Sequence, residues 1–178
     1  IVYVDLHATD GAQFQHDIAN LVEPIHMGAA GLQPLARKLS QDLNQQLRQQ
    51  GSLPLDFYPS PRDPRDPLSG FAQGAYTPRF STGYWALCNR LAILVETHSW
   101  KDYPWRVQST RNLLMALVQA TARDGQKWLS AARECDQASA SLPGTRLPIS
   151  YKTTEKHRRI DFQGYRYSYK LSAISGQP

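Results

Sequence analysis

Four ionisable residues follow two apolar stretches of this sequence. Asp5 and His7 close the first apolar run of the chain, and Glu96 and His98 follow the continuous apolar run Leu91–Val95. A neutral imidazole is the commonest metal ligand among side chains, and a carboxylate two residues before it on the same strand face can orient it. A glutamate at the end of a buried strand is suited to general-base chemistry. The pattern therefore indicates metal or acid–base chemistry, or histidines and carboxylates satisfied by ordinary hydrogen bonds.

The elements that must position these residues follow an α/β pattern. Val2, Val4 and Leu6 alternate along a predicted first strand, and the Leu91–Val95 run reads as a central strand covered on both faces. Leucines at helical spacing predict one helix over residues 32–47 and a second over 107–139. In open α/β sheets, ligands collect at the carboxyl ends of the strands. The order of strands and helices therefore puts both ionisable strand ends where a site is expected.

The character of the sequence changes after residue 143. Ile149–Thr154 and Tyr165–Leu171 alternate like strands of an antiparallel sheet. We therefore divide the chain into a main unit, residues 1–143, and a short antiparallel β element within residues 144–178. Both ends of the sequence fall within or beside strand-like runs, so we expect the chain to be an internal piece of a longer protein.

Length, composition and cysteine spacing exclude several classes of protein. With 178 residues, 41% of them hydrophobic, the chain is long enough for one globular core. No apolar run approaches the ~20 residues of a membrane span. The two cysteines, Cys88 and Cys135, lack the spacing of a zinc or redox motif.

Nucleic-acid binding is the weaker interpretation of the basic C-terminal region. Arg158 and Arg159 stand near Tyr165, Tyr167 and Tyr169, an interleaving of cations and aromatics that stacking surfaces also have. A half-exposed strand has the same alternation, however, and the net charge of +5 over 178 residues is modest. We therefore expect no nucleic-acid partner.

The segments Val4–Gly11 and Leu94–Ser99 together resemble the second half of the catalytic domain of the zinc carboxypeptidases (carboxypeptidase A-like metallopeptidases), over about Ile1–Ala122. In that family an early His-x-x-Glu supplies two zinc ligands, a later strand-end histidine supplies the third, and a glutamate ending a buried strand is the general base. The resemblance implies a mixed central sheet with helices on both faces. It also implies one zinc ion, with His7 as its third ligand and Glu96 as the catalytic base.

No His-x-x-Glu occurs in these 178 residues. The resemblance therefore puts the first two zinc ligands upstream of Ile1 and implies that this piece alone cannot build a complete zinc site. Residues 75–84 correspond to the region where relatives carry a substrate-contacting tyrosine and the specificity pocket. The candidate substrate-binding residues there are Tyr76 or Tyr84 as the tyrosine, Arg79 for a substrate carboxylate, and Ser81 and Thr82 near the pocket floor.

The function that the resemblance implies is zinc-dependent hydrolysis of a peptide or an N-acyl amino acid by the intact parent protein. Relatives with this pattern are often exported from bacteria, which favours a periplasmic or secreted location. The alternative is a non-catalytic binding module on a degenerate peptidase fold. An upstream segment without His-x-x-Glu would favour that alternative.

Overall fold

The computed structural model describes residues 1–9, 13–148, 150–152 and 154–166, except for the side chain of Pro67. The described residues form a mixed α/β structure with three helices, which confirms the predicted α/β class. Along the chain, the elements are β1 (Val2–Thr9), β2 (Ile18–Glu23), α1 (Gln33–Gln49), β3 (Pro54–Leu55), β4 (Pro61–Asp63), β5 (Asp66–Phe71), α2 (Ser81–Leu87), β6 (Leu91–His98) and α3 (Tyr103–Ser139).

The described strands form a four-stranded mixed sheet in the order β1-β6-β2-β3. Strand β6 lies at the centre, parallel to β1 and antiparallel to β2, while β2 runs parallel to β3. The register of β1 against β6 runs from Val2 opposite Leu91 to Thr9 opposite His98. The central position predicted for the Leu91–Val95 run is confirmed, and the strand continues through Glu96 to His98.

One face of the sheet is covered by α1 and α3. Leu39, Leu43 and Leu47 of α1 are buried, and the contact face of α3 is lined by Leu113, Leu117 and Trp128. These side chains pack with Val2, Val4 and the odd-numbered residues of β6 into the main hydrophobic core. Helix α3 begins at an N-cap, because the Asp102 side chain accepts a hydrogen bond from the Trp105 amide. The long helix runs without a break through Gly125.

Helix α2 lies against the other face of the sheet, in a region for which the sequence patterns predicted neither a helix nor a strand. Tyr3 points to this face, and its ring stacks on Trp85 with centroids 5.4 Å apart. The helix has only seven residues, too few for a clear hydrophobic period. Its docking on the sheet, rather than its local sequence, holds it in place.

Strand β2 and the hairpin β4–β5 were not predicted. All six residues of β2 are buried, including Asn20 and Glu23, so the strand lacks the alternation of polar and apolar residues that identifies a strand in sequence. Residues 61–71, which contain three prolines, form an antiparallel pair. Prolines are compatible with strands at a sheet edge, where a missing N–H breaks no ladder bond.

The antiparallel element expected after residue 143 is not formed in the part of it that the structure describes. Residues 150–152 and 154 are not in a strand, and residues 149, 153 and 167–171 lie outside the described residues. The described C-terminal segment instead contacts the main unit through an isolated bridge between Gly164 and Phe14. Within the described residues, no helix is long and apolar enough to cross a membrane.

Candidate functional site

His7 and Glu96 lie directly opposite one another on the parallel strands β1 and β6. Since side chains alternate along a strand, residues 5, 7 and 9 of β1 share a face with residues 94, 96 and 98 of β6. This is the face on which α2 packs. The two residues predicted to carry the chemistry are therefore brought together at the carboxyl ends of two neighbouring parallel strands, where ligands collect in open α/β sheets.

The imidazole of His7 is held on one side by Asp5. His7 Nε2 and Asp5 Oδ1 lie 2.8 Å apart, at ion-pair distance, and the His7 side chain is 50% exposed. The other carboxylate oxygen, Asp5 Oδ2, accepts a hydrogen bond from Ser81 Oγ at 2.5 Å. Because Asp5 occupies Nε2, Nδ1 is the His7 nitrogen that remains for a ligand.

Glu96 is enclosed by the sheet. It is 8% exposed, and its neighbours in register are His7 on β1 and Ala19 on β2. A carboxylate enclosed in this way, next to an exposed imidazole, can take a proton from a water molecule held between them.

The described residues around His7 do not by themselves supply a metal site. Among residues 1–9, 13–148, 150–152 and 154–166, no group of three or more His, Cys, Asp or Glu side chains is placed to hold a metal ion. His7 has the oriented imidazole that a metal ligand needs, and β1 is an edge strand of the described sheet. Further ligands could approach His7 from that open edge, because β6 occupies the other side of β1.

His98 is a buried structural residue rather than a surface one. It is fully buried, and a hydrogen bond of 2.8 Å joins its Nδ1 to Thr9 Oγ1. The ring stacks on Trp100 at 4.7 Å and meets the Phe14 ring edge-on at 4.4 Å. Burial lowers the pKa of His98 from 6.5 to about 3, with smaller contributions from His16 and Lys101. His98 is therefore neutral at physiological pH.

Of the two tyrosine candidates, Tyr76 precedes α2 in the chain and Tyr84 lies within the helix. Tyr76 is half-buried and meets the Phe80 ring edge-on at 5.7 Å. Burial raises its pKa, and the charges of Tyr58 and Glu23 raise it further. Tyr84 is 52% exposed. The two side chains therefore differ in their access to solvent, and the described contacts bring neither of them to His7.

Arg79, Ser81 and Thr82 occupy three different environments. Arg79 is exposed, with its Cζ 6.0 Å from the centre of the Phe80 ring. Thr82 is 2% exposed, inside the packing of α2. Ser81 is directed to Asp5 and so belongs to the surroundings of His7. No local pattern in the sequence indicates this contact of Ser81, because the hydrogen bond joins residues 76 positions apart.

A second cluster near the ends of β1 and β6 consists of aromatic rings around His16. His16 is 3% exposed, and its Nε2 accepts a hydrogen bond of 3.2 Å from the backbone N–H of Gln163. The Phe162 ring lies 5.0 Å from the His16 ring and 5.3 Å from that of Phe14. Burial lowers the pKa of His16. This cluster attaches the C-terminal segment to the main unit.

Comparison of this chain with protein-family models, with curated proteins and with solved structures finds no match. The central feature of the strand ends is the register that places His7 opposite Glu96.

Proposed function

We propose that the protein containing this chain hydrolyses a peptide or amide bond with the help of one zinc ion. In this proposal His7 is one zinc ligand and Glu96 is the general base. The observation that carries it is the register of β1 and β6, in which these two residues are opposite neighbours on one face of the sheet. The mixed order of the sheet also agrees with the carboxypeptidase-like fold that the resemblance implies.

His7 would bind zinc through Nδ1, since Asp5 engages Nε2. The other ligands, in the proposal a His-x-x-Glu outside these 178 residues, would reach the ion across the edge of β1 that no described strand covers. Bound zinc would polarise the scissile carbonyl group and lower the pKa of a water molecule toward ~7.

Glu96 accepts the proton of the attacking water and delivers it to the nitrogen of the leaving amine. The low exposure of Glu96 favours this role, because a carboxylate enclosed by the sheet keeps one orientation through both proton transfers. The substrate is a peptide or an N-acyl amino acid. The exposed Arg79 is suited to a substrate carboxylate, since a guanidinium binds carboxylates bidentately. Tyr76 or Tyr84, with Ser81, completes the proposed substrate-binding region, and Thr82 is left out of it because its side chain is buried in the packing of α2.

The test uses the full-length protein, with zinc content measured by elemental analysis and turnover measured on N-acyl amino acids and short peptides. Glu96→Gln should lower turnover by about 10²–10⁴-fold and leave zinc content near that of the wild type. Glu155→Gln is a matched control, because Glu155 is exposed. Unchanged turnover in Glu96→Gln would remove Glu96 as the base.

His7→Ala should lower zinc content, whereas the exposed His157→Ala should not. Full zinc content in His7→Ala would exclude His7 from the ligand set. If the full-length protein takes up no zinc when zinc is offered, the result favours the non-catalytic binding module over the hydrolase.

A further inference from the structure

Two short polar contacts connect α2 to the proposed zinc ligand. Ser81 Oγ donates a hydrogen bond to Asp5 Oδ2 at 2.5 Å, and Asp5 Oδ1 lies 2.8 Å from His7 Nε2, at ion-pair distance. Each carboxylate oxygen of Asp5 therefore has its own polar partner, one on the strand and one on the helix. A carboxylate held at both oxygens cannot rotate about its terminal bond without losing one of these contacts.

Ser81 is itself fixed by the packing of α2. Trp85 of this helix stacks on Tyr3 of β1, which keeps the helix against the strand that carries Asp5. Gly83 allows the loop before the helix to pack closely, because a Cβ at that position would overlap the carbonyl oxygens of Tyr76 and Thr77. The loop, the helix and β1 are thus in direct contact through small and aromatic residues.

We infer that Asp5 and Ser81 are positioning residues, through which the loop bearing Tyr76 and Arg79 is coupled to His7. Asp5 selects the imidazole tautomer that carries its proton on Nε2, so that Nδ1 presents its lone pair. Ser81 holds Asp5 in the orientation that does so. The role of Nδ1 as a zinc ligand rests on the proposed function, whereas the tautomer and its dependence on Ser81 do not.

The exposure of His7 makes such positioning necessary. A side chain that is 50% exposed has solvent on one side, and a neutral imidazole in water interconverts between its two tautomers. A metal-bound histidine ordinarily donates its second N–H to a carboxylate or carbonyl, which fixes both its tautomer and its ring orientation. Asp5 can do this only if its own orientation is maintained, and Ser81 is the residue that maintains it.

The first test is the tautomer of His7, measured by ¹⁵N NMR on the histidine-labelled 178-residue chain at pH 8, where imidazoles are ordinarily neutral. The wild type should show His7 predominantly protonated on Nε2. Ser81→Ala should shift His7 toward a mixture of tautomers, and Asp5→Ala should shift it further. Ser81→Thr, which keeps the hydroxyl, should restore the wild-type signal, and the exposed Ser60→Ala should not change it.

The second test is the zinc affinity of the full-length protein. Removal of such a supporting partner typically costs about 10–100-fold in metal affinity. Because Ser81 acts through Asp5, we expect a loss near the lower end of that range for Ser81→Ala, with rescue by Ser81→Thr. The amide spectrum of each variant shows whether its fold is intact.

A wild-type His7 that is already a tautomer mixture, or a Ser81→Ala variant with unchanged tautomer and zinc affinity, would overturn the inference. Either result leaves the Glu96 and zinc tests of the proposed function unaffected. Conversely, a Ser81-dependent tautomer in a protein that binds no zinc would support the positioning of His7 and contradict the hydrolase.

Discussion

Thr9 and His98 join the ends of β1 and β6 by a buried hydrogen bond of 2.8 Å between Thr9 Oγ1 and His98 Nδ1. The two residues are opposite neighbours, two positions beyond the His7–Glu96 pair in the same register. Both are buried, His98 fully and Thr9 at 5% exposure. Their hydrogen bond therefore links the carboxyl ends of the two strands that carry the candidate site.

Thr9→Val should lower the free energy of unfolding by about 1–3 kcal/mol. The substitution keeps the size of the side chain but leaves the buried Nδ1 of His98 without its partner. Urea unfolding followed by circular dichroism measures the loss. Thr77→Val, at an exposed position, should change stability by less than about 0.5 kcal/mol. Equal effects of the two substitutions would show that the hydrogen bond contributes nothing specific.

The stability of the chain should fall in acid because of His98 and His16. The pKa of His98 is lowered to about 3 and that of His16 is also lowered, both chiefly by burial. In the unfolded chain both histidines take up protons near pH 6.5. Below that pH the unfolded state therefore binds more protons than the folded state, and protonation favours unfolding.

For His98, the expected loss begins as the pH drops through 6.5 and continues to about pH 3. Its slope is at most about 1.4 kcal/mol per pH unit for each histidine. Urea unfolding at a series of pH values measures it. His98→Gln should flatten the slope, whereas His157→Gln, at an exposed position, should leave it unchanged. A slope that is the same in His98→Gln would assign the acid sensitivity to other groups.

Two glycines should respond to alanine in opposite directions. Gly83→Ala should destabilise the chain, because the added Cβ would overlap the backbone carbonyls of Tyr76 and Thr77, which cannot move aside cheaply. Gly125→Ala should stabilise it by up to about 1 kcal/mol, because Gly125 lies inside a helix, where alanine is more favourable than glycine. The added Cβ would lie 3.4 Å from Thr121 Cγ2, so it would not overlap a neighbouring atom. Thermal unfolding distinguishes the two. Stabilisation by Gly83→Ala would contradict the close packing of the loop on α2.

Phe162→Ala should release the C-terminal segment from the main unit. The Phe162 ring lies 4.6 Å from that of Phe71 and is part of the aromatic cluster around His16. Without it, the hydrogen bond from the Gln163 N–H to His16 should open more often. Hydrogen exchange of the Gln163 amide should become faster. Tyr165→Ala, at a position that is 45% exposed, is the control, and equal protection in both variants would contradict this role of Phe162.

Local patterns in the sequence determined the long elements of the fold. The leucine spacing of α1, the apolar run of β6 and the alternation in β1 each reflect which side of an element is buried, and burial acts on residues a few positions apart. The same patterns put ionisable residues at two strand ends. A candidate pair of chemical residues could therefore be named from the sequence.

Only the tertiary structure shows which residues distant in the chain contact one another. The facing of His7 and Glu96 depends on the register of two strands that are about 90 residues apart in the chain, and a shift by one residue would reverse the face of every side chain. Ser81 joins Asp5 only because α2 docks on that face. Strand β2 is stable although it contains Asn20, because Asn20 exchanges hydrogen bonds with Asn44 of α1. These features arise from contacts between distant segments, and the hydrophobic periodicity of the sequence does not predict them.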